Sequence, residues 1–189
     1  MSIIQLLHAF ILYCLIPLWI AVGFADWLCH RASDISRTAG AKESALHLLM
    51  LAEIGIPLLA GLFLEINALV LLIMFAGLLA HEATSLWDLH YAHGRRDISP
   101  IEQHVHSFQE IIPMILFALV CFLNWDQLAA LLAWRSDAEF SLEWKPNPLP
   151  AAYLATILSL TALFVWLPFA EEFLRALRVG RMQDAVKSS

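Results

Sequence analysis

The sequence predicts an all-α, polytopic membrane protein of about five transmembrane helices, four of which form a bundle around a metal site at their cytoplasmic end. Three observations carry this. Of 189 residues, 60% are hydrophobic and only 15% charged, against roughly 45–50% and 25% in soluble domains, and the mean hydropathy is +0.71. Residues 3–25 and 146–170 contain no Asp, Glu, Lys or Arg, and each stretch exceeds the ~20 residues that carry an α-helix across a bilayer core. Against this apolar background stand seventeen acids and eight histidines, residue types that are costly inside a bilayer unless paired or functional.

The first span covers residues 3–30, followed by the polar linker RASDISRTAGAK. The second runs over 43–64, where Glu65-Ile66-Asn67 makes a tight turn into a third span, 67–91. A basic linker, HGRRDISP, holds Gly94 as a helix stop and Pro100 near the next helix start. The fourth span covers 101–125. A polar loop over 133–149, ending in Pro146 and Pro148, leads to the fifth span, 150–177, which opens on a third proline, Pro150, and to a basic tail. The chain reads as one domain without internal repeats, and the N-terminal apolar run, which no Lys or Arg precedes, reads as a retained span and not a signal peptide.

Charge sets the expected orientation. With the N-terminus outside, the inner segments hold Arg31, Arg37, Lys42, Arg95, Arg96, Arg175, Arg178, Arg181 and Lys187, and the outer ones only Arg135 and Lys145. The positive-inside rule therefore places the C-terminus in the cytoplasm of a bacterial-type inner membrane. Trp125, Trp134 and Trp144 suit the outer interface, Trp27 and Trp87 the inner one. A net charge of -6 excludes nucleic acid as a partner. Cys14, Cys29 and Cys121 form no CxxC pair and read as packing residues.

All histidines but His8 fall near the cytoplasmic ends of the first four spans. Three helices carry an acid followed four residues later by a histidine, Asp26/His30, Glu43/His47 and Glu102/His106, a spacing that puts both side chains on one helix face. The third span offers His81 and Asp88, seven apart. Because the spans alternate in direction, Asp26, His47, His81 and His106 are expected about one turn deeper than His30, Glu43 and Glu102, giving two layers roughly 6 Å apart. That is room for two metal ions. Carboxylates with imidazoles and no thiolate suit iron first, with manganese or zinc as alternatives.

Further ligand candidates are Glu82, His90, His93 and Glu110. Glu110 and Glu53, within the apolar layer, are also candidates for a catalytic or proton-holding role. His104 reads as interfacial and His8 as structural. Glu171 and Glu172 read as a solvated helix end.

The arrangement resembles the integral-membrane non-haem di-iron desaturases and hydroxylases. His90-x-x-His93 and Glu102-Gln-His104-Val-His106 are similar to their histidine boxes, over residues 26–110 and in layout only, without an HxxHH box. The expectation is an oxygen-dependent oxidoreductase acting on a hydrophobic or lipid substrate that enters from the bilayer, with an external electron donor. Arg37, Arg95 and Arg96 are candidates to hold a substrate head group. A metal-dependent hydrolase of a lipid head group, and a non-enzymatic metal or haem binder, remain as alternatives.

Overall fold

In the computed structural model, which describes residues 1–187, five helices are long and apolar enough to cross a membrane: α1 (Ile3–Ala32), α3 (Ala41–Phe63), α4 (Ala68–Ala92), α5 (Pro100–Leu123) and α7 (Ala151–Val186). Two short helices, α2 (Ile35–Thr38) and α6 (Trp125–Leu132), lie in the connections. The starts and stops follow local chemistry. Asn67 caps α4 by accepting from the Val70 amide (3.1 Å), and Ser99 caps α5 by accepting from the Glu102 amide (3.1 Å), with Pro100 at the first helical position where its missing N–H costs nothing. Gly40 and Gly94 take positive φ at the two connections of the polar end.

Two expectations need correction. The segment after residue 177 is not a separate tail but the continuation of α7, whose 36 residues span about 54 Å, well beyond a ~30 Å hydrocarbon layer. The 133–149 loop is also no loose connection. It is pinned to the α3–α4 turn by Glu65 N–H donating to Glu143 O (2.9 Å), Lys145 N–H to Phe63 O (2.9 Å) and the Asn67 side chain to Ser141 O (2.9 Å). The Glu65–Asn67 break forms as the sequence suggests.

The apolar core joins Ile11, Leu15, Ile16 and Ile20 of α1 to Leu62 of α3 and to Ile157, Val165 and Phe169 of α7. Both outer helices widen into one π-helical turn, Ile11–Leu15 and Ala162–Trp166, each two residues before a proline, Pro17 and Pro168. A proline cannot donate to the carbonyl four residues back and its ring crowds that carbonyl, and the wider turn gives it room.

Pro57 has the same effect inside α3, where it cannot donate to the Glu53 carbonyl. There Gly77 of α4 moves in close: a Cβ on Gly77 would lie 2.6 Å from the Glu53 carbonyl oxygen and 2.3 Å from Pro57 Cγ. Gly77→Ala is therefore expected to push α3 and α4 apart and to cost about 1–3 kcal/mol, read as a lower thermal midpoint of the purified protein. An unchanged midpoint would show that the hairpin relaxes freely.

Candidate metal centre

At the polar end, all five long helices contribute to one buried cluster. α1 brings Asp26 and His30, α3 Glu43, Ser44 and His47, α4 Asp88, α5 Glu102 and His106, and α7 Glu172. His30, Glu43 and Glu172 are 0% exposed and Glu102 is 1% exposed. Arg96, from the α4–α5 connection, is buried with them.

Glu172 organises the centre. Its Oε2 lies 3.2 Å from His30 Nδ1 and its Oε1 3.2 Å from His47 Nδ1, while Ser44 Oγ donates to Oε1 at 2.9 Å. An ionised carboxylate only accepts, so both imidazoles donate from Nδ1, and on the neutral rings Nε2 carries the lone pair that would face an ion. The two rings stack, centroids 4.3 Å apart and 21° between planes, and Phe169 stands edge-on to both. The lone pairs of His30 and His47 are thereby held side by side.

Each Nε2 faces its own acid. His30 Nε2 lies 3.3 Å from Asp26 Oδ1, which is also 2.9 Å from His106 Nε2. His47 Nε2 lies 3.4 Å from Asp88 Oδ2. Asp26, His30 and His106 form one group whose ligand atoms fall within 4.8 Å of one another, and Glu43, His47 and Asp88 form another. Donors bound to a common ion at ~2.0–2.2 Å approach each other to about 3 Å, close to the 2.9, 3.3 and 3.4 Å of the His106–Asp26, His30–Asp26 and His47–Asp88 pairs.

The buried polar atoms test whether ions fit. Asp26 Oδ1, His30 Nε2, Glu43 Oε2 and Asp88 Oδ1 are buried with no hydrogen-bond partner, although two of them lie within 3.3 Å of each other. Groups that converge without satisfying one another need a shared partner, and a cation supplies it. Five buried carboxylates against the single buried Arg96 leave four negative charges when the imidazoles are neutral, a charge that bound cations or protonated histidines would offset. A third grouping, His30, His47 and Glu172, is accounted for by the Nδ1 hydrogen bonds.

Arg96 holds the outer side. Its Nε donates to Glu43 Oε1 at 2.7 Å and its Nη1 to Glu102 Oε1 at 2.5 Å, and Glu102 Oε1 is 3.8 Å from His30 Nε2. The expectation that Arg96 meets a head group is thus corrected, because its guanidinium is buried and its Nε and Nη1 are taken by two buried acids, only Nη2 being left without a partner. Glu172 is likewise no solvated helix end. Its sequence signal is weak, since it has no histidine four residues away, but it stands in α7 at the depth of the other acids. Glu171 beside it is exposed and pairs with Arg31 (3.3 Å) and Arg175 (3.2 Å).

The two ligand groups lie side by side across the bundle, α1/α5 against α3/α4, and not in two layers along it. Each group mixes the depths that the sequence reading assigned to separate layers. His81 stays outside both groups because seven residues from Asp88 amount to about 10 Å of rise; it lines a small cavity beneath the cluster with its Nδ1 unpartnered. Glu82 is half-buried and outside both groups, with Oε1 unpartnered. Glu53 accepts from Thr84 Oγ1 (2.8 Å) and Glu110 from Ser85 Oγ (3.1 Å), two interhelical bonds inside the bundle. His90, His93 and His104 are exposed, and His8 is bonded to the Ile4 carbonyl of its own helix (2.9 Å). The chain matches no protein-family model, no curated protein and no solved structure.

Proposed function

We propose that this protein is an integral-membrane non-haem di-iron oxidoreductase that uses dioxygen to oxidise a hydrophobic substrate. The observation that supports it best is the pair of adjacent mixed nitrogen–oxygen donor groups, Asp26/His30/His106 and Glu43/His47/Asp88, brought together by the stacked imidazoles of His30 and His47. When bound, two irons would supply the redox capacity to reduce dioxygen with electrons from an external donor. The chain's own residues do the rest. Glu172 fixes the tautomer of both imidazoles, as carboxylates behind metal-bound histidines do. Arg96 holds Glu43 and Glu102 in place, and Phe169 shields both rings from water. Glu53 and Glu110, deeper in the bundle, tie α3 and α5 to α4 through Thr84 and Ser85. The excess of Lys and Arg at the polar end orients it towards the cytoplasm.

Geometry disfavours the haem alternative. Two axial imidazoles must point at each other through a macrocycle, whereas His30 and His47 stack face to face with no space between. The decisive experiment is metal analysis of aerobically purified protein together with oxygen uptake. The expected result is close to two irons per chain, and oxygen consumption that requires both a reductant and a long-chain substrate. Stoichiometric zinc with turnover under anaerobic conditions would overturn this reading in favour of a hydrolase.

A further inference from the structure

Beneath the cluster the bundle is hollow. A cavity of about 80 Å³ starts at Asp26, His47 and His81 and reaches Trp19, Ile54 and Leu58. A second cavity, of about 320 Å³, shares Ile16, Trp19, Ile54 and Leu58 with the first and continues to the opposite end of the bundle. Its walls are aliphatic and aromatic until its rim, where His8, Asn124, Lys145 and Asn147 supply polar groups. From Leu62 at the rim to His47 at the cluster α3 counts fifteen residues, or about 22 Å.

The rim is a built feature. Lys145 is half-buried, its backbone is tied to Phe63, and its Nζ donates to the Leu64 carbonyl at 2.7 Å. An ammonium has three donors, so two are left for a ligand. Burial holds the Lys145 ammonium below the usual lysine range, with the nearby Glu65 opposing that shift; an anion at the rim would relieve the burial cost.

We propose that this tunnel binds one unbranched long-chain carboxylate end-on, its carboxylate against Lys145 and Asn147 and the remote end of its chain beside Asp26, His47 and His81. Two magnitudes select the ligand. Carbon–carbon bonds of about 1.5 Å project to roughly 1.25 Å each along an extended chain, so a tunnel of about 22 Å takes some sixteen to eighteen carbons. A methylene fills about as much space as a water molecule, ~30 Å³, so the two cavities as they stand hold about thirteen carbons, somewhat fewer than the length admits and less than half of the two chains of a phospholipid. The substrate's entry is then from the face opposite the metal centre, and the carbons brought to that centre are those remote from the head group. That last consequence rests on the dimetal reading, whereas binding in the tunnel does not.

The test uses the full chain in detergent, both metal-loaded and chelator-stripped, with labelled hexadecanoic acid as probe. Octanoic acid, hexadecanol and phosphatidylglycerol serve as competitors. One hexadecanoic acid per chain is expected in both preparations, with octanoic acid and hexadecanol at least tenfold weaker. Lys145→Ala, in the loop outside the bundle, is expected to remove the preference for acid over alcohol. Trp19 lies between the ends of the tunnel, about 10 Å from Asp26 and about 16 Å from His8 along α1, so hexadecanoic acid brominated at mid-chain should quench a fluorescence component that Trp19→Phe lacks. Equal binding of eight- and sixteen-carbon acids, an unchanged preference in Lys145→Ala, or displacement of the acid by equimolar phosphatidylglycerol would each overturn the proposal. Binding to stripped protein separates the outcomes: a chain that holds fatty acid but no iron sinks the dimetal reading alone, and one that holds iron but no fatty acid sinks the tunnel alone.

Discussion

If the proposed dimetal centre is right, Glu172→Gln is expected to cost it one of two metal ions, although Glu172 has no place in the Asp26/His30/His106 or Glu43/His47/Asp88 group. The carboxylate serves both imidazoles, His30 through Oε2 and His47 through Oε1, and Ser44 donates to the oxygen on the His47 side. An amide has only one oxygen. Ser44 and His47 keep it where they are, so the amide nitrogen falls opposite His30 Nδ1, donor against donor. His30 then loses the acceptor that fixes its tautomer, and the Asp26/His30/His106 group weakens. Loss of such an outer carboxylate typically costs 10–100-fold in metal affinity. Near one metal per chain in Glu172→Gln and near none in Glu172→Ala, by elemental analysis after dialysis, is the expected series. Two metals retained in both variants would show that Glu172 only packs the helices.

Arg96→Met should act mainly on the metal-free protein. The guanidinium is the one cation placed between Glu43 and Glu102, and removing one partner of a buried ion pair typically costs about 3–5 kcal/mol. With ions bound, their charge takes over part of that compensation, so the loaded variant should lose less. The readout is the gap between the thermal midpoints of loaded and stripped protein, which should be wider in Arg96→Met than in the native chain. Arg96→Lys should fall between, since a single ammonium cannot reproduce a fork that spans two carboxylates. Equal destabilisation of both states would mark Arg96 as a strut indifferent to ions.

Much of this architecture is legible in the sequence because membrane helices announce themselves by length and hydropathy, and because the acid–histidine pairs at i, i+4 report a shared face without any tertiary knowledge. Asp26/His30 and Glu43/His47 are legible for that reason, whereas of the Glu102/His106 pair only His106 joins a ligand group and Glu102 is bonded to Arg96. What is illegible depends on partners distant in the chain. Glu172 lies 142 residues from His30 and has no matching histidine on its own helix, so beside Glu171 and Arg175 it looks like an ordinary charged helix end. Arg96 is hidden by a rule that explains it too easily, since every Arg at that end satisfies the positive-inside bias. Helical phase alone could not place His81. It puts His81 and Asp88 on one face but says nothing against the 10 Å of rise that keeps them from a common ion.

The position of the clamp on the last helix also gives the centre a history. The chain emerges N-terminus first at about 5–20 residues per second, so His106 is made several seconds before Glu172. In that interval four helices already present their acids and imidazoles, but nothing holds the rings of His30 and His47 in register, and an ion captured early can leave again. On the dimetal reading, retention would begin when α7 docks, and α7, made after the other four spans, would act as the latch of the centre.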